Sequence, residues 1–97
     1  MKLFRNKQQP AQLVNAGQFE LEREGKVATL QYTLAGNVLA LLHSEIPDSL
    51  RGTGIASTLA KTALDWAREN RLKVDVVCPF VAGFLKSHPE YDDLILK

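Results

Sequence analysis

Apolar and polar residues alternate from Gln18 onward. Phe19 and Leu21 stand between Gln18, Glu20 and Glu22, and after Glu24-Gly25 the alternation resumes from Val27 to Leu34, with Ala28, Leu30, Tyr32 and Leu34 on one side. A period of two interrupted by a turn dipeptide predicts a hairpin of two half-buried strands. Gly36-Asn37 supplies a second turn, and Val38-Leu39-Ala40-Leu41-Leu42-His43 follows as a run apolar on both faces, the pattern of a central strand. These three strands read as an antiparallel meander. Ahead of them, residues 1–16 mix Asn, Gln, Lys and Pro without a period and predict a flexible lead-in.

The period changes after Gly54. Ile55, Ala56, Leu59, Ala60, Ala63, Leu64, Trp66 and Ala67 recur at three and four, with Ser57, Thr58, Lys61, Asp65, Arg68 and Glu69 between them, which predicts a long amphipathic helix from Gly54 to Asn70 with Trp66 in the core. Asn70 stands where a left-handed C-terminal cap is expected. Lys73 to Cys78 reads as a fourth strand. It is closed by Pro79, suited to the first turn of a short helix that carries Phe80, Val81, Phe84 and Leu85. His88-Pro89 ends that helix, and Tyr91 to Leu96 reads as a last turn or an edge strand.

Composition narrows the function classes. Ninety-seven residues make one domain, 1–97, with an average apolar share of 45% and charged share of 24%, so the chain folds. A net charge of +1 with no basic run argues against nucleic acid as a partner. No stretch approaches the ~20 apolar residues of a membrane span, and Met1-Lys2-Leu3-Phe4-Arg5 lacks a signal-peptide core, so a soluble, cytoplasmic protein without a membrane partner is expected. Cys78 is the one cysteine, which excludes an internal disulfide and a cysteine-rich zinc site; no metal is expected. A domain below ~100 residues buries a modest share of its surface, which makes a weak homodimer plausible.

The third strand, the loop Ile46–Gly54, the long helix and the strand Lys73–Cys78 form a βαβ unit whose strands must be parallel with a right-handed crossover. That geometry brings Cys78 to the sheet edge that carries Arg51–Ala56. Arg51-Gly52-Thr53-Gly54-Ile55-Ala56 has the make-up of an anion cradle: glycines admit a ligand to the backbone, a helix N-terminus presents N–H groups, and Arg51 adds a charge suited to phosphate. An ordinary glycine loop with Thr53 as the helix cap fits the same spacing. Neither a Walker loop, which needs Lys and Ser/Thr after the last glycine, nor a dinucleotide fingerprint matches.

With these residues in place the chain resembles the GNAT acetyltransferases. Arg51–Ala56 is similar to their Arg/Gln-x-x-Gly-x-Gly/Ala pyrophosphate loop. His43-Ser44-Glu45, Arg51–Ala56, Cys78-Pro79-Phe80-Val81 and His88-Pro89-Glu90-Tyr91 together look like the short, single-domain GNAT-like family over about Gln18–Leu94. The resemblance implies an α/β (α+β) GNAT-like fold, a three-stranded meander followed by the βαβ unit, and a coenzyme A or acetyl-CoA site. The pyrophosphate would rest on Arg51, Gly52, Thr53, Gly54, Ile55 and Ala56, and the pantetheine arm would run toward Cys78 and Pro79. Lys61 would add charge at the edge. The family's N-terminal helices, which wall the acceptor pocket, are missing here, and Phe80 and Phe84 stand where larger relatives place an acidic tyrosine.

Two residues are candidates for the chemistry. Cys78 precedes the helix that begins at Pro79, where the dipole favours a thiolate able to accept an acetyl group; the competing reading is a small buried hydrophobe. His43, on the face of Leu39, Leu41 and Glu45, pairs with Glu45 as a base and its orienter, against a hydrogen-bonded structural histidine. His88 closes a helix, where the dipole favours a cation, and reads as structural unless Tyr91 contacts ligand. Three readings follow: an acetyl-CoA-dependent N-acetyltransferase acting on a small-molecule or protein amine, a coenzyme A-binding or protein-interaction module without turnover, or a structural domain in which the glycine loop only caps a helix.

Overall fold

The computed structural model describes residues 4–8 and 14–96. One five-stranded sheet runs in chain order β1 (Phe4–Gln8), β2 (Val14–Arg23), β3 (Lys26–Ala35), β4 (Val38–Glu45) and β5 (Lys73–Val76), antiparallel except for the parallel β4–β5 pair. Between β4 and β5 come a 3-10 turn at Asp48–Leu50 and the helix α1 (Ile55–Glu69); α2 (Pro79–Lys86) and a 3-10 segment at Pro89–Leu94 follow. This is the expected α/β arrangement, with one strand more. Among the described residues no helix is long and apolar enough to cross a membrane.

Both hairpins turn at their dipeptides. Glu24 and Gly25 both take positive φ, 54° and 76°, in the two-residue loop closed by the Arg23–Lys26 pair, whereas only Gly36 is left-handed at the second turn. Ala28, Leu30 and Tyr32 of β3 are buried, joined by Phe19 and Leu21 of β2 and by Leu39 and Leu41 of β4. Ile55, Leu59, Ala63, Leu64 and Ala67 of α1 and Val81 and Phe84 of α2 complete the same core. Trp66 packs against it, 5.8 Å from Phe19 and 6.3 Å from Tyr32 between ring centroids.

The structure departs from the sequence reading in three places. Where it is described, the stretch read as a lead-in carries strand: β1 pairs with β2 from Phe4–Phe19 to Gln8–Asn15, and β2 already begins at Val14. Backbone pairing along an edge needs no apolar alternation, so FRNKQ gave no signal. Residues 1–3 and 9–13 of that stretch lie outside the described residues. At the end of α1 the left-handed residue is Arg71 (φ 58°), with Asn70 at φ −101°. Leu72 N–H bonds Ala67 C=O (2.9 Å) and Arg71 N–H bonds Arg68 C=O (3.2 Å), a Schellman motif one residue later than expected.

The third departure sets the site. Gln31 pairs with His43 but Tyr32 pairs with Leu41, so Leu42 is an extra residue, a bulge. One inserted residue reverses the side-chain alternation of everything after it. His43 and Glu45 therefore leave the face of Leu39 and Leu41 and stand exposed on the opposite face, beside Gln31 and Thr29, while Ser44 turns inward opposite buried Leu30.

Candidate functional site

The parallel β4–β5 pairing runs only from Val38–Lys73 to Leu41–Val76. Leu41 C=O then accepts both Val77 N–H (3.0 Å) and Cys78 N–H (2.8 Å), and the two chains part. β4 continues to Glu45 while Cys78 leads into α2, whose first residue is Pro79. A gap opens between the strands at the bulge. Its inner wall brings Ser44 and Cys78 together, the thiol donating to Ser44 Oγ at 3.7 Å.

The loop leading to α1 is wound as consecutive turns. Leu50 N–H bonds Pro47 C=O, Arg51 N–H bonds Asp48 C=O and Thr53 N–H bonds Leu50 C=O, with the Leu50 side chain buried as an anchor. Gly52 and Gly54 have φ of 82° and 84°, conformations in which a Cβ is strained. The alternative of Thr53 as helix cap does not hold: the cap is Gly54, without a side-chain bond, and Thr53 Oγ1 donates back to Leu50 C=O at 2.6 Å. The first bond into the helix is Thr58 N–H to Gly54 C=O. Ahead of it, the N–H groups of Ile55, Ala56 and Ser57 have no carbonyl partner within α1, and they stand at the positive end of the helix.

A cavity of about 490 Å³ joins these two features. Arg51, Gly52, Gly54, Ile55 and Ala56 of the loop and helix start line it together with Ser44 of β4, Ser57 and Phe80. Two cations stand by the loop. Arg51 is exposed and paired to Asp48 at 3.3 Å, and Arg23, at the tip of the β2–β3 hairpin, reaches Thr53 C=O at 3.4 Å. Lys61 is engaged by Asp65 at 2.6 Å.

The candidates from the sequence thus separate. The loop residues line the cavity, apart from Thr53, whose side chain turns back to Leu50 C=O. Cys78 lies against Ser44 but is 1% exposed and does not line the cavity, and Pro79 lines a neighbouring groove. His43 is on the open face and is not hydrogen-bonded to Glu45, which borders a separate hollow of about 340 Å³ with Val27, Thr29, Ile46 and Pro47. Sequence reasoning gave no role to Arg23 and named Ser44 and Phe80 only within the segments that carry the resemblance, without assigning them to the site. That Ser44 faces the cavity follows only from locating the bulge, and the place of Arg23 only from knowing where the hairpin tip falls.

His88 and Tyr91 act as fasteners. The His88 ring stacks on Phe84 with centroids 3.9 Å apart, and its Nδ1–H donates to Phe84 C=O at 2.9 Å. Tyr91 O–H donates to Asp65 at 2.7 Å, and Arg68 grips Asp93 through two bonds of 3.0 Å, tying the C-terminal segment to α1. Burial pulls the Asp65 carboxyl upward, but hydrogen bonds from Lys61 and Tyr91 outweigh it and hold its pKa below the usual value.

A glycine-rich turn delivering free helix N–H groups to a cavity that ends where two parallel strands part is the arrangement expected from the GNAT resemblance. A family profile for the GCN5-related N-acetyltransferases matches residues 18–94. The chain belongs to that family. Similar proteins include Protein NATD1 of Bos taurus, 43% identical over 63 residues and covering 64% of this chain, and Protein NATD1 of Danio rerio, 37% identical over 84 residues. This chain spans a little over half the length of the bovine protein (56%) and 76% of the zebrafish one. Among solved structures, a GCN5-like candidate N-acetyltransferase from Staphylococcus aureus superposes with a TM-score of 0.62 at 26% identity, over 99% of this chain and 91% of that one.

Proposed function

We propose that this GCN5-related protein is an acetyl-CoA-dependent N-acetyltransferase, and that the 490 Å³ cavity receives the diphosphate and pantetheine of the coenzyme. The observation that carries the reading is the continuity of that cavity from the free N–H groups of Ile55–Ser57 to Ser44 at the strand gap. The fit is chemical as well as spatial: a diphosphate suits backbone donors at a helix N-terminus with Arg51 and Arg23 beside them. Gly52 and Gly54 carry no side chain to block its approach.

Bound there, acetyl-CoA supplies a thioester open to attack by an amine. Ser44 Oγ accepts the Cys78 thiol proton, which leaves the Ser44 hydroxyl free to donate toward the sulfur end of the cavity. The proton of the incoming amine passes to water, because His43 stands exposed on the opposite face of the sheet and does not line the cavity. Cys78, 1% exposed, supports Ser44 and does not itself receive the acetyl group, so transfer is direct.

A coenzyme A-binding module without turnover is the second reading, favoured by one observation: His43 has no hydrogen bond to Glu45 that would orient it. Calorimetry with coenzyme A tests both readings, and acetylation of a panel of polyamines, small amines and lysine peptides separates them. Binding with product supports the transferase. Binding without product supports the module, and no binding at millimolar ligand refutes both.

A further inference from the structure

The tip of the β2–β3 hairpin carries two cations that no carboxylate balances. Arg23 and Lys26 stand directly opposite each other in the pair that closes the hairpin, and both are exposed. Like charges so placed destabilise a strand pair. By the two-residue period of the strands, Arg23 shares the side of buried Phe19 and Leu21, and Lys26 the side of buried Ala28 and Leu30, so both lie on the sheet face that packs α1. Among the described residues neither forms an ion pair.

Arg23 is nonetheless held in place. Its guanidinium donates to Thr53 C=O at 3.4 Å, between Gly52 and Gly54, and a neutral carbonyl orients the group without neutralising it. A guanidinium has five N–H donors, so most remain for a ligand. Glu24 and Gly25 both take positive φ, which makes the turn tight and fixes where the two side chains start. Arg51, the cation of the loop itself, is already paired with Asp48 at 3.3 Å. The unbalanced charge beside Gly52–Gly54 therefore comes from the hairpin.

We infer that Arg23 and Lys26 form a cationic clasp on the coenzyme diphosphate, a side-chain holder that supplements the backbone N–H groups of Ile55–Ser57. The inference rests on the proposed coenzyme A reading and deepens it, because it makes the hairpin tip select thioesters that carry a diphosphate. A bound dianion relieves the repulsion between the two cations, which gives the like-charged pair a reason to stand there. Neither side chain lines the cavity, so the contact is made at its rim, where salt screens it.

The test is calorimetry with coenzyme A at about 50 and about 500 mM sodium chloride on the wild type, Arg23→Gln, Arg23→Lys and Lys26→Glu, with thermal melts to establish folding. Glutamine keeps an N–H donor for Thr53 C=O and loses the charge, whereas lysine keeps the charge. Glutamate at position 26 offers Arg23 a carboxylate across the strand pair, so Lys26→Glu should melt no lower than the wild type while its clasp is neutralised. Arg23→Gln and Lys26→Glu should each weaken coenzyme A about tenfold at low salt, as loss of one charge-assisted hydrogen bond does, and less at high salt. Arg23→Lys should retain most of the affinity. If either folded charge-removing variant binds coenzyme A as the wild type does, or loses the same factor at both salt concentrations, the clasp is overturned and the proposed function stands. If the wild type does not bind coenzyme A, both fall.

Discussion

Replacing Gly54 by valine separates ligand binding from folding. Gly54 has φ 84° and ψ 4°, the left-handed region, where a residue with a Cβ loses about 1–2 kcal/mol. Nothing in the protein lies within 4 Å of the added Cβ, so no collision adds to that strain. For a domain of this size a loss of about 1–2 kcal/mol lowers Tm by roughly 5–15 °C, and the variant remains folded at 25 °C. The new side chain, however, stands at the rim of the 490 Å³ cavity, beside the N–H groups assigned to the diphosphate. Loss of even two charge-assisted hydrogen bonds weakens binding by about 3 kcal/mol, or roughly a hundredfold. Gly36→Val is the control, because Gly36 is also left-handed (φ 59°) with open space around it but lies in the β3–β4 turn. Thermal melts and calorimetry should give similar stability losses for the two variants and a large rise in the coenzyme A Kd for Gly54→Val alone. Unchanged affinity in folded Gly54→Val, or equal weakening in both, would refute the phosphate assignment.

Three further outcomes follow from the same geometry. Tyr91→Phe removes the 2.7 Å bond to Asp65 and should cost about 1 kcal/mol in urea melts without altering coenzyme A affinity. Asp65, where hydrogen bonds from Lys61 and Tyr91 overcome the upward pull of burial, and Asp93, held down by Arg68, both have lowered carboxyl pKa values. Their contribution to stability is therefore complete above about pH 4, the unfolded-chain value, and is lost as pH falls through the lower folded values; urea midpoints should drop from pH 5 to pH 3, less steeply in Asp65→Asn, and an equal slope would contradict this. Mass spectrometry after incubation with acetyl-CoA should find no acetyl on Cys78, which is 1% exposed, and Cys78→Ala should retain transfer while Ser44→Ala lowers kcat by tenfold or more; an acetyl-Cys78 adduct would overturn the direct route.

The elements that bury a regular stripe were legible in the sequence. Phe19, Leu21, Ala28, Leu30 and Tyr32 alternate as they pack, and α1 was bounded to within a residue at each end. Side-chain direction on β4 was not legible, because a run that is apolar at every position from Val38 to Leu42 reads the same with or without a bulge. That one insertion decides whether His43 or Ser44 faces the cavity. The parallel strands and the crossover brought the loop and Cys78 to one edge correctly, but spacing says nothing of burial, and Ser44 shields the thiol from the cavity. Tyr91–Leu96, read as a turn or an edge strand, proves to be both: a 3-10 segment to Leu94, then a parallel bridge from Ile95 to Val74.

The central claim is that backbone groups at the start of α1 hold the coenzyme diphosphate while the other end of the same cavity reaches Ser44. A titration of 15N-labelled protein with coenzyme A, followed through the amide resonances, tests it most directly. Saturable shifts should be largest at Gly52–Ser57 and should extend to Ser44 and Phe80, with Gly36 and the rest of the β3–β4 turn unmoved. No saturable shift at millimolar coenzyme A, or shifts centred on the opposite face around His43 and Glu45, would contradict the account.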